Sequence, residues 1–189
     1  MTDYEKLRQQ RFAALKDPAQ IEYFKPKRPP LRQMGVELLR KRFTAPAPPP
    51  LDPEIAQEDV VIDGPHGPIP TRIFTPKRKA EGPRGIYLHT HGGGFVAGGG
   101  LDNMTAANQR IAKTTDCVVV APDFRLPPEH RYPVPLDDCF AAFKWTAKNA
   151  ARLGGRADGI GVGGGCTGGN IATAIAIMAP SQGSTPLWL

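Results

Sequence analysis

Apolar residues recur at helical spacing in two stretches near the start of the chain. The first stretch covers residues 3–15 and the second covers residues 31–43, and each places its apolar side chains on one helical face. A proline-rich run follows at residues 45–53, which is typical of a stiff, extended spacer. This pattern predicts a helical cap or arm at residues 1–53 and a core domain at residues 54–189.

The rest of the chain alternates between strand patterns and helix patterns. Residues 59–62 and 69–74 flank a turn of glycine and proline, which predicts a β-hairpin. Three apolar strand segments follow, at residues 85–88, 117–121 and 160–162. Each is followed by a helical segment, at residues 103–113, 136–149 and 171–178 respectively. Apolar strands that alternate with helices predict an α/β fold, in which helices cover both faces of a mostly parallel sheet.

Composition and charge narrow the class of protein. The 189 residues are 40% hydrophobic and 22% charged, as in a globular domain. The net charge is +6, but the basic residues are scattered, so we expect no nucleic-acid partner. The sequence shows no signal-peptide layout and no apolar run near the roughly 18 residues that a membrane span needs. Cys117 and Cys139 read as small buried hydrophobes, and three cysteines without motif spacing favour a cytoplasmic location.

A glycine-rich segment follows directly on the first of the three strands. Residues 91–95 read His-Gly-Gly-Gly-Phe. Glycines at the end of a strand leave backbone N–H groups free to converge on one point, where they can stabilise the oxyanion that develops when a carbonyl is attacked. Taken alone, the same residues also fit a flexible glycine loop. Their position at the end of a strand matches the HGGG motif of lipases and esterases.

The most informative segment lies between the last strand and the last helix. Residues 164–168 read Gly-Gly-Cys-Thr-Gly, which is the layout of a nucleophile elbow, with Cys166 where serine is usual. A thiolate at a helix N-terminus is a strong nucleophile, although Cys166 also fits a decayed serine in a pseudoenzyme. Residues 163–168 match the G-x-G-x-x-G of dinucleotide-binding proteins as well. No acidic residue follows about 20 positions later, so a nucleotide-binding domain is the remote alternative.

Three blocks together resemble the hormone-sensitive-lipase-like family of α/β-hydrolases. They are residues 91–95, residues 123–130 (Asp-Phe-Arg-Leu-Pro-Pro-Glu-His, similar to the family's D-Y-R-L-A-P-E-H) and residues 163–170 (Gly-Gly-Gly-Cys-Thr-Gly-Gly-Asn, similar to its G-G-D-S-A-G-G-N). The resemblance implies an incomplete α/β-hydrolase fold and a carboxylic-ester hydrolase that acts on a small-molecule ester. It implies no cofactor, and no residue cluster has metal-ligand spacing.

The resemblance also assigns residue roles. Cys166 would be the catalytic nucleophile, and the backbone N–H groups of Gly93, Gly94 and Thr167 would form the oxyanion hole. His91 would brace the glycine loop. The remaining support would come from a polar network under the site, formed by Asp123, Arg125 and Glu129. Two departures are Phe124 in place of a tyrosine and Gly165 in place of an aspartate.

The triad partners of Cys166 are not evident in the sequence. In this fold the nucleophile precedes the acid and the histidine, yet no histidine, aspartate or glutamate follows Cys166 in the sequence. We therefore expect weak or no turnover, and a noncatalytic fragment or pseudoenzyme is the alternative. Residues 186–189 resemble the start of a further strand, and an uncovered apolar edge at residues 160–162 would favour self-association.

Overall fold

A computed structural model describes residues 34–44, 50–182 and 187–188, together with five isolated helical positions, Asp3, Lys6, Gln10, Ala13 and Pro18. Most of the predicted helix at 3–15 and of the predicted spacer at 45–53 lies outside the described residues. The chain divides into two compact units, Met1–Gly35 and Val36–Leu189. The boundary that the sequence places after residue 53 stays a prediction. Helix α1, Val36–Phe43, lies within the second unit and forms the later part of the helix predicted at 31–43.

The predicted hairpin is present and is longer than its apolar pattern indicated. Strand β1, Ile55–Gly64, pairs antiparallel with strand β2, Gly67–Pro76, and the register runs from Ile55 opposite Pro76 to Gly64 opposite Gly67. Gly67 has a φ of 114°, a conformation that L side chains rarely adopt, so a glycine suits this end of the turn. The other edge of β2 pairs antiparallel with strand β4.

The alternating strands and helices predicted from the sequence are also present. In chain order they are β3 Arg84–Thr90, α2 Thr105–Thr115, β4 Val118–Pro122, α3 Val134–Lys148, β5 Gly155–Gly164 and α4 Thr167–Met178. Within the described residues the strands form one six-stranded sheet in the order β1-β2-β4-β3-β5-β6, where β6 is Leu187–Trp188. The pairings β4–β3, β3–β5 and β5–β6 are parallel, so the sheet is mixed and its elbow half is parallel.

Apolar residues cover both faces of the sheet. Alternate residues of β4 point to opposite faces, so Val118 and Val120 join the larger core cluster with α3 and α4, whereas Val119 joins a second cluster with Ala112 of α2. Burial on both faces explains why the central strands read as continuous apolar runs. Cys139 is buried in the larger cluster and Cys117 is half-buried beside the second, in line with their expected role as small hydrophobes.

The edge of β5 differs from the expectation. Leu187 and Trp188 pair with Gly161 and Val162 of β5, so residues 186–189 do contain the start of a further strand. The edge at residues 160–162 is therefore not bare at its last two positions, because two residues of β6 cover it. Self-association through this part of the sheet stays a prediction.

Candidate active site

The elbow consists of residues 164–168 and joins the end of β5 to the start of α4. Cys166 caps the N-terminus of α4 with a φ of 55° and a ψ of −118°, and its side chain is exposed. A non-glycine residue in such a sparsely populated backbone region costs on the order of 1–3 kcal/mol, and this kind of strain gathers at functional sites. The sharp turn lifts Cys166 out of the sheet and places its thiol at the positive end of the helix dipole.

Glycine is required on both sides of Cys166 because the end of β3 packs against the elbow. A methyl group at Gly164 or at Gly168 would overlap the carbonyl oxygen of Thr90. The buried hydroxyl of Thr90 donates to the carbonyl oxygen of Gly168 at 2.8 Å, across 78 residues of sequence. Thr90 was not singled out from the sequence, and it ties the strand that leads into the glycine loop directly to the elbow.

The glycine loop, residues 92–98, lies against the elbow. A methyl group at Gly92 would come within 2.7 Å of the carbonyl oxygen of Gly165 and 3.3 Å of the Cβ atom of Cys166. The loop turns tightly, since the N–H groups of Val96 and Ala97 both donate to the carbonyl oxygen of Gly93 at 3.2 and 3.0 Å. The predicted oxyanion loop and the predicted nucleophile therefore meet, although they are far apart in sequence.

The three N–H groups predicted for the oxyanion hole lie on these two segments. Gly93 and Gly94 have φ values of 134° and 63°, and Thr167 is the first residue of α4. None of the hydrogen bonds among the described residues uses the N–H of Gly93, Gly94 or Thr167 as its donor. Their assignment to an oxyanion hole stays a prediction.

His91 directly precedes the glycine loop and is buried, and its role as a brace stays a prediction. Its Nδ1 atom is 2.9 Å from the carbonyl oxygen of Gly92, which fits a tautomer in which Nδ1 donates. The ring stacks on Phe124 with centroids 4.1 Å apart, so Phe124 contacts His91 through its ring where the family's tyrosine also carries a hydroxyl. Burial lowers the pKa of His91, which favours the neutral ring.

A small cavity of about 20 Å³ lies beside the glycine loop. Its lining includes His89 on β3, His91 just after β3, Asn108 on α2 and Asp123. His89 Nδ1 lies 2.5 Å from Oδ1 of Asn108, and burial lowers the pKa of His89. The Nε2 atom of His91 and the Nδ2 atom of Asn108 are buried without a hydrogen-bond partner among the described residues. The volume suits one water molecule, which could bridge such groups.

The three residues predicted to form a polar network under the site lie in one irregular segment, and their role in supporting the glycine loop stays a prediction. Asp123, Arg125 and Glu129 each hydrogen-bond a different partner instead of one another. The carboxylate of Asp123 accepts a hydrogen bond from the N–H of Gly100 at 2.8 Å. This bond holds the chain two residues after the glycine loop. Residues 123–129 contain no helix or strand, so their side chains leave the chain in different directions.

Arg125 and Glu129 pair with residues that the sequence reasoning missed. The guanidinium of Arg125 donates to the fully buried carboxylate of Asp138 on α3 at 2.6 Å. Glu129 forms a two-point ion pair with Arg40 on α1, with distances of 2.8 and 2.6 Å. Asp138 and Arg40 carried no sequence signal, because an isolated charged residue on a helix usually lies on a solvated face.

A general base for Cys166 is not evident in the structure. Among residues 50–182, no side chain forms a hydrogen bond with the thiol of Cys166. His89 and His91 are buried near the glycine loop. At the hairpin turn, the Nε2 atom of His66 lies 2.8 Å from a carboxylate oxygen of Asp137 on α3. His130 is exposed after the segment that contains Glu129. Among the described residues, therefore, no histidine forms a triad with Cys166.

The described portions of the chain gather no group of three or more His, Cys, Asp or Glu side chains able to hold a metal ion. None of the described helices combines the length and the apolar character that crossing a bilayer would take.

Comparisons with known proteins agree with this geometry. Residues 87–188 match the family described as alpha/beta hydrolase fold. The chain is 40% identical over 156 residues to esterase LipI of Mycobacterium tuberculosis, an alignment that covers 81% of this chain and 48% of the relative. It is 38% identical to carboxylesterase NlhH of the same organism, with the same coverage of both chains.

The solved structure of a hyperthermophilic esterase from the archaeon Pyrobaculum calidifontis superposes with a TM-score of 0.69 at 32% identity. The match covers 80% of this chain and 50% of that chain. The chain thus belongs to the α/β-hydrolase fold family, among its hormone-sensitive-lipase-like members. It spans about half the length of the curated relatives it matches.

Proposed function

We propose that this chain carries the nucleophile and oxyanion-hole part of a carboxylesterase site, with Cys166 as the acyl acceptor. The observation that carries the proposal is the contact between the two segments, because the glycine loop lies against the Cβ atom of an exposed, strained Cys166. The esterase names of the relatives support a small-molecule ester as the substrate. They favour this function over the nucleotide-binding alternative.

The proposed reaction begins with attack of the Cys166 thiolate on the carbonyl carbon of the ester. The carbonyl oxygen becomes an oxyanion, which accepts hydrogen bonds from the N–H groups of Gly93, Gly94 and Thr167. The carbon–oxygen bond to the alcohol then breaks, the alcohol leaves with a proton from water, and a thioester remains on Cys166. Water finally hydrolyses the thioester and releases the carboxylic acid.

The second half of this reaction should be slow in the 189-residue polypeptide. Hydrolysis of the thioester needs a base that takes a proton from water, and the histidines of the described residues are occupied beneath the loop or lie at the surface. We therefore expect a stoichiometric burst of alcohol release followed by weak turnover. The second candidate function is a noncatalytic scaffold, favoured by the lack of a hydrogen-bond partner for the thiol among the described residues.

A burst experiment separates the two candidates. The protein is mixed with p-nitrophenyl acetate, release of p-nitrophenol is followed by stopped flow, and the acylated peptide is identified by mass spectrometry. We expect a burst of one equivalent with the acetyl group on Cys166, lost in Cys166→Ala. Cys117→Ala is the matched control, because burial raises the pKa of that thiol and it lies away from the elbow. A burst that persists in Cys166→Ala contradicts the nucleophile assignment, and no burst favours the scaffold.

The location of the protein stays a prediction. All three cysteines are free in the structure, and free thiols suit the reducing cytoplasm that the sequence favours.

A further inference from the structure

Arg40 on α1 joins three segments that are distant in sequence. Its Nε atom donates to the carbonyl oxygen of Val96 at 2.9 Å, which lies in the glycine loop. One terminal nitrogen donates to the carbonyl oxygen of Pro127 at 3.1 Å, and both terminal nitrogens donate to the carboxylate of Glu129. A single guanidinium thus holds α1, the glycine loop and residues 127–129 together.

The contact with Val96 reaches the segment that carries the oxyanion donors. Val96 follows Gly94 by two residues, and its N–H donates inward to the carbonyl oxygen of Gly93. The peptide group that carries the Val96 carbonyl is therefore held by the turn and by Arg40. A change in this turn would tilt the peptide planes of Gly93 and Gly94, and the direction of their N–H groups depends on those planes.

The chemistry of the contact requires arginine. A guanidinium presents five N–H donors in a rigid plane, so it can bind one carboxylate with two donors and two carbonyl oxygens with the remainder. The Glu129 carboxylate fixes the orientation of that plane, and the pair with Arg40 lowers the pKa of Glu129 to about 2. A lysine would keep the charge but could not hold all four contacts in one geometry.

The ion pair between Arg40 and Glu129 is expected to contribute little to the free energy of unfolding. The side chains of Arg40 and Glu129 are 36% and 52% exposed, and exposed ion pairs contribute little to folding because water screens them. The pair Arg152–Glu58 on the same unit has a similar exposure, 45% and 53%, yet it contacts neither the glycine loop nor the elbow. Only the Arg40 pair also binds a carbonyl oxygen of the glycine loop.

We propose that Arg40, oriented by Glu129, is a positioning residue that sets the geometry of the oxyanion hole from α1. This inference rests on the proposed function, since it gives Arg40 a role in the same acyl-transfer site. It also revises the role of Glu129, which acts through Arg40 and not through a network with Asp123 and Arg125.

Two reactions of the same thiol test the proposal. Acylation by p-nitrophenyl acetate develops an oxyanion and needs the hole, whereas alkylation by iodoacetamide occurs at a saturated carbon and does not. Arg40→Ala should slow acylation of Cys166 by about tenfold, less than the roughly 10²–10³-fold loss on removing a donor because the N–H groups are displaced and not removed, and it should leave the alkylation rate unchanged. Arg40→Lys should recover only part of the acylation rate. Arg152→Ala is the matched control and should change neither rate.

A second measurement does not depend on reactivity. Hydrogen exchange of the 189-residue protein, followed by mass spectrometry, reports the opening of residues 92–97. We expect faster exchange of this segment in Arg40→Ala and in Glu129→Gln, and unchanged exchange in Arg152→Ala.

Several results would overturn the inference. Equal acylation rates in Arg40→Ala and the unsubstituted protein would do so, and so would an equal fall of acylation and alkylation, which indicates a general structural role. Unchanged exchange at residues 92–97 would also overturn it. If the unsubstituted protein shows no acylation of Cys166 at all, the proposed function fails instead, and the exchange result alone then decides whether Arg40 orders the loop.

Discussion

The contact between the glycine loop and the elbow can be tested by one added methyl group. Gly92 has no unusual φ, so alanine is compatible with its backbone and the effect of Gly92→Ala is purely steric. The new Cβ atom would lie 2.7 Å from the carbonyl oxygen of Gly165, and it would also press on the Cβ atom of Cys166 at 3.3 Å. Both neighbours belong to backbone or to a short side chain, so neither can rotate away.

The magnitude follows from the displacement that relieves this contact. An ordinary carbon–oxygen contact is longer by roughly 0.6 Å, and overpacking of this kind costs about 1–3 kcal/mol. For a chain of this size that cost lowers the melting temperature by about 2–12 °C. Because a shift of about 1 Å in a reacting group costs on the order of a hundredfold in rate, acylation of Cys166 should fall by about tenfold or more.

The assay combines thermal unfolding with the p-nitrophenyl acetate burst. Gly85→Ala is the matched control, since Gly85 lies on β3 and its new methyl group would meet the carbonyl oxygen of Gly159 at 3.6 Å, an ordinary contact. We expect the control to melt and to acylate as the unsubstituted protein does. If Gly92→Ala behaves like this control in both measurements, the glycine loop does not lie against the elbow, and the argument for the site is refuted.

Three further predictions concern the support of the site. Thr90→Val should destabilise the fold by about 0.5–1.5 kcal/mol in urea unfolding, because a buried hydrogen bond is lost; an unchanged midpoint would argue against the tie to the elbow. Burial lowers the pKa of His89 and of His91, so the unfolded chain takes up protons that the folded protein does not. The free energy of unfolding should therefore be highest above about pH 6.5 and fall below it. A melting temperature that stays flat from about pH 8 to pH 5 would contradict this. Arg125→Met should cost about 3–5 kcal/mol, because the buried carboxylate of Asp138 loses its guanidinium partner and keeps only the backbone N–H of residue 125. The double variant with Asp138→Leu should recover much of the loss in chemical denaturation.

Much of the fold and of the site could be predicted because the signals are local. Strand β4 contains the continuous apolar run Val118–Val120, and β3 and β5 each contain a short apolar segment, as expected of strands buried on both faces. The glycines beside Cys166 follow from a turn too tight for a side chain, so the elbow is legible in five consecutive residues. Predicted element ends were less accurate, since β5 begins at Gly155, five residues before the apolar run at 160–162.

The partners of the predicted support residues were not evident in the sequence. The sequence places Asp123, Arg125 and Glu129 within one segment, and nearness in sequence suggested one network. In the structure Glu129 is paired with Arg40, 89 residues away, and Arg125 with a residue of α3. Long polar side chains find their partners wherever neighbouring elements pack, and that arrangement has no local signature.

The sequence by itself determined the turns of the candidate site, because backbone strain and close approach depend on which residue occupies each position of a tight turn. Tertiary structure alone decided what holds that site in shape. The hydroxyl of Thr90 reaches the elbow and the guanidinium of Arg40 reaches the glycine loop only because the parallel strands end at one edge of the sheet and α1 lies beside it. Such contacts depend on distances between elements, and these distances are set by packing of the whole core rather than by any one segment.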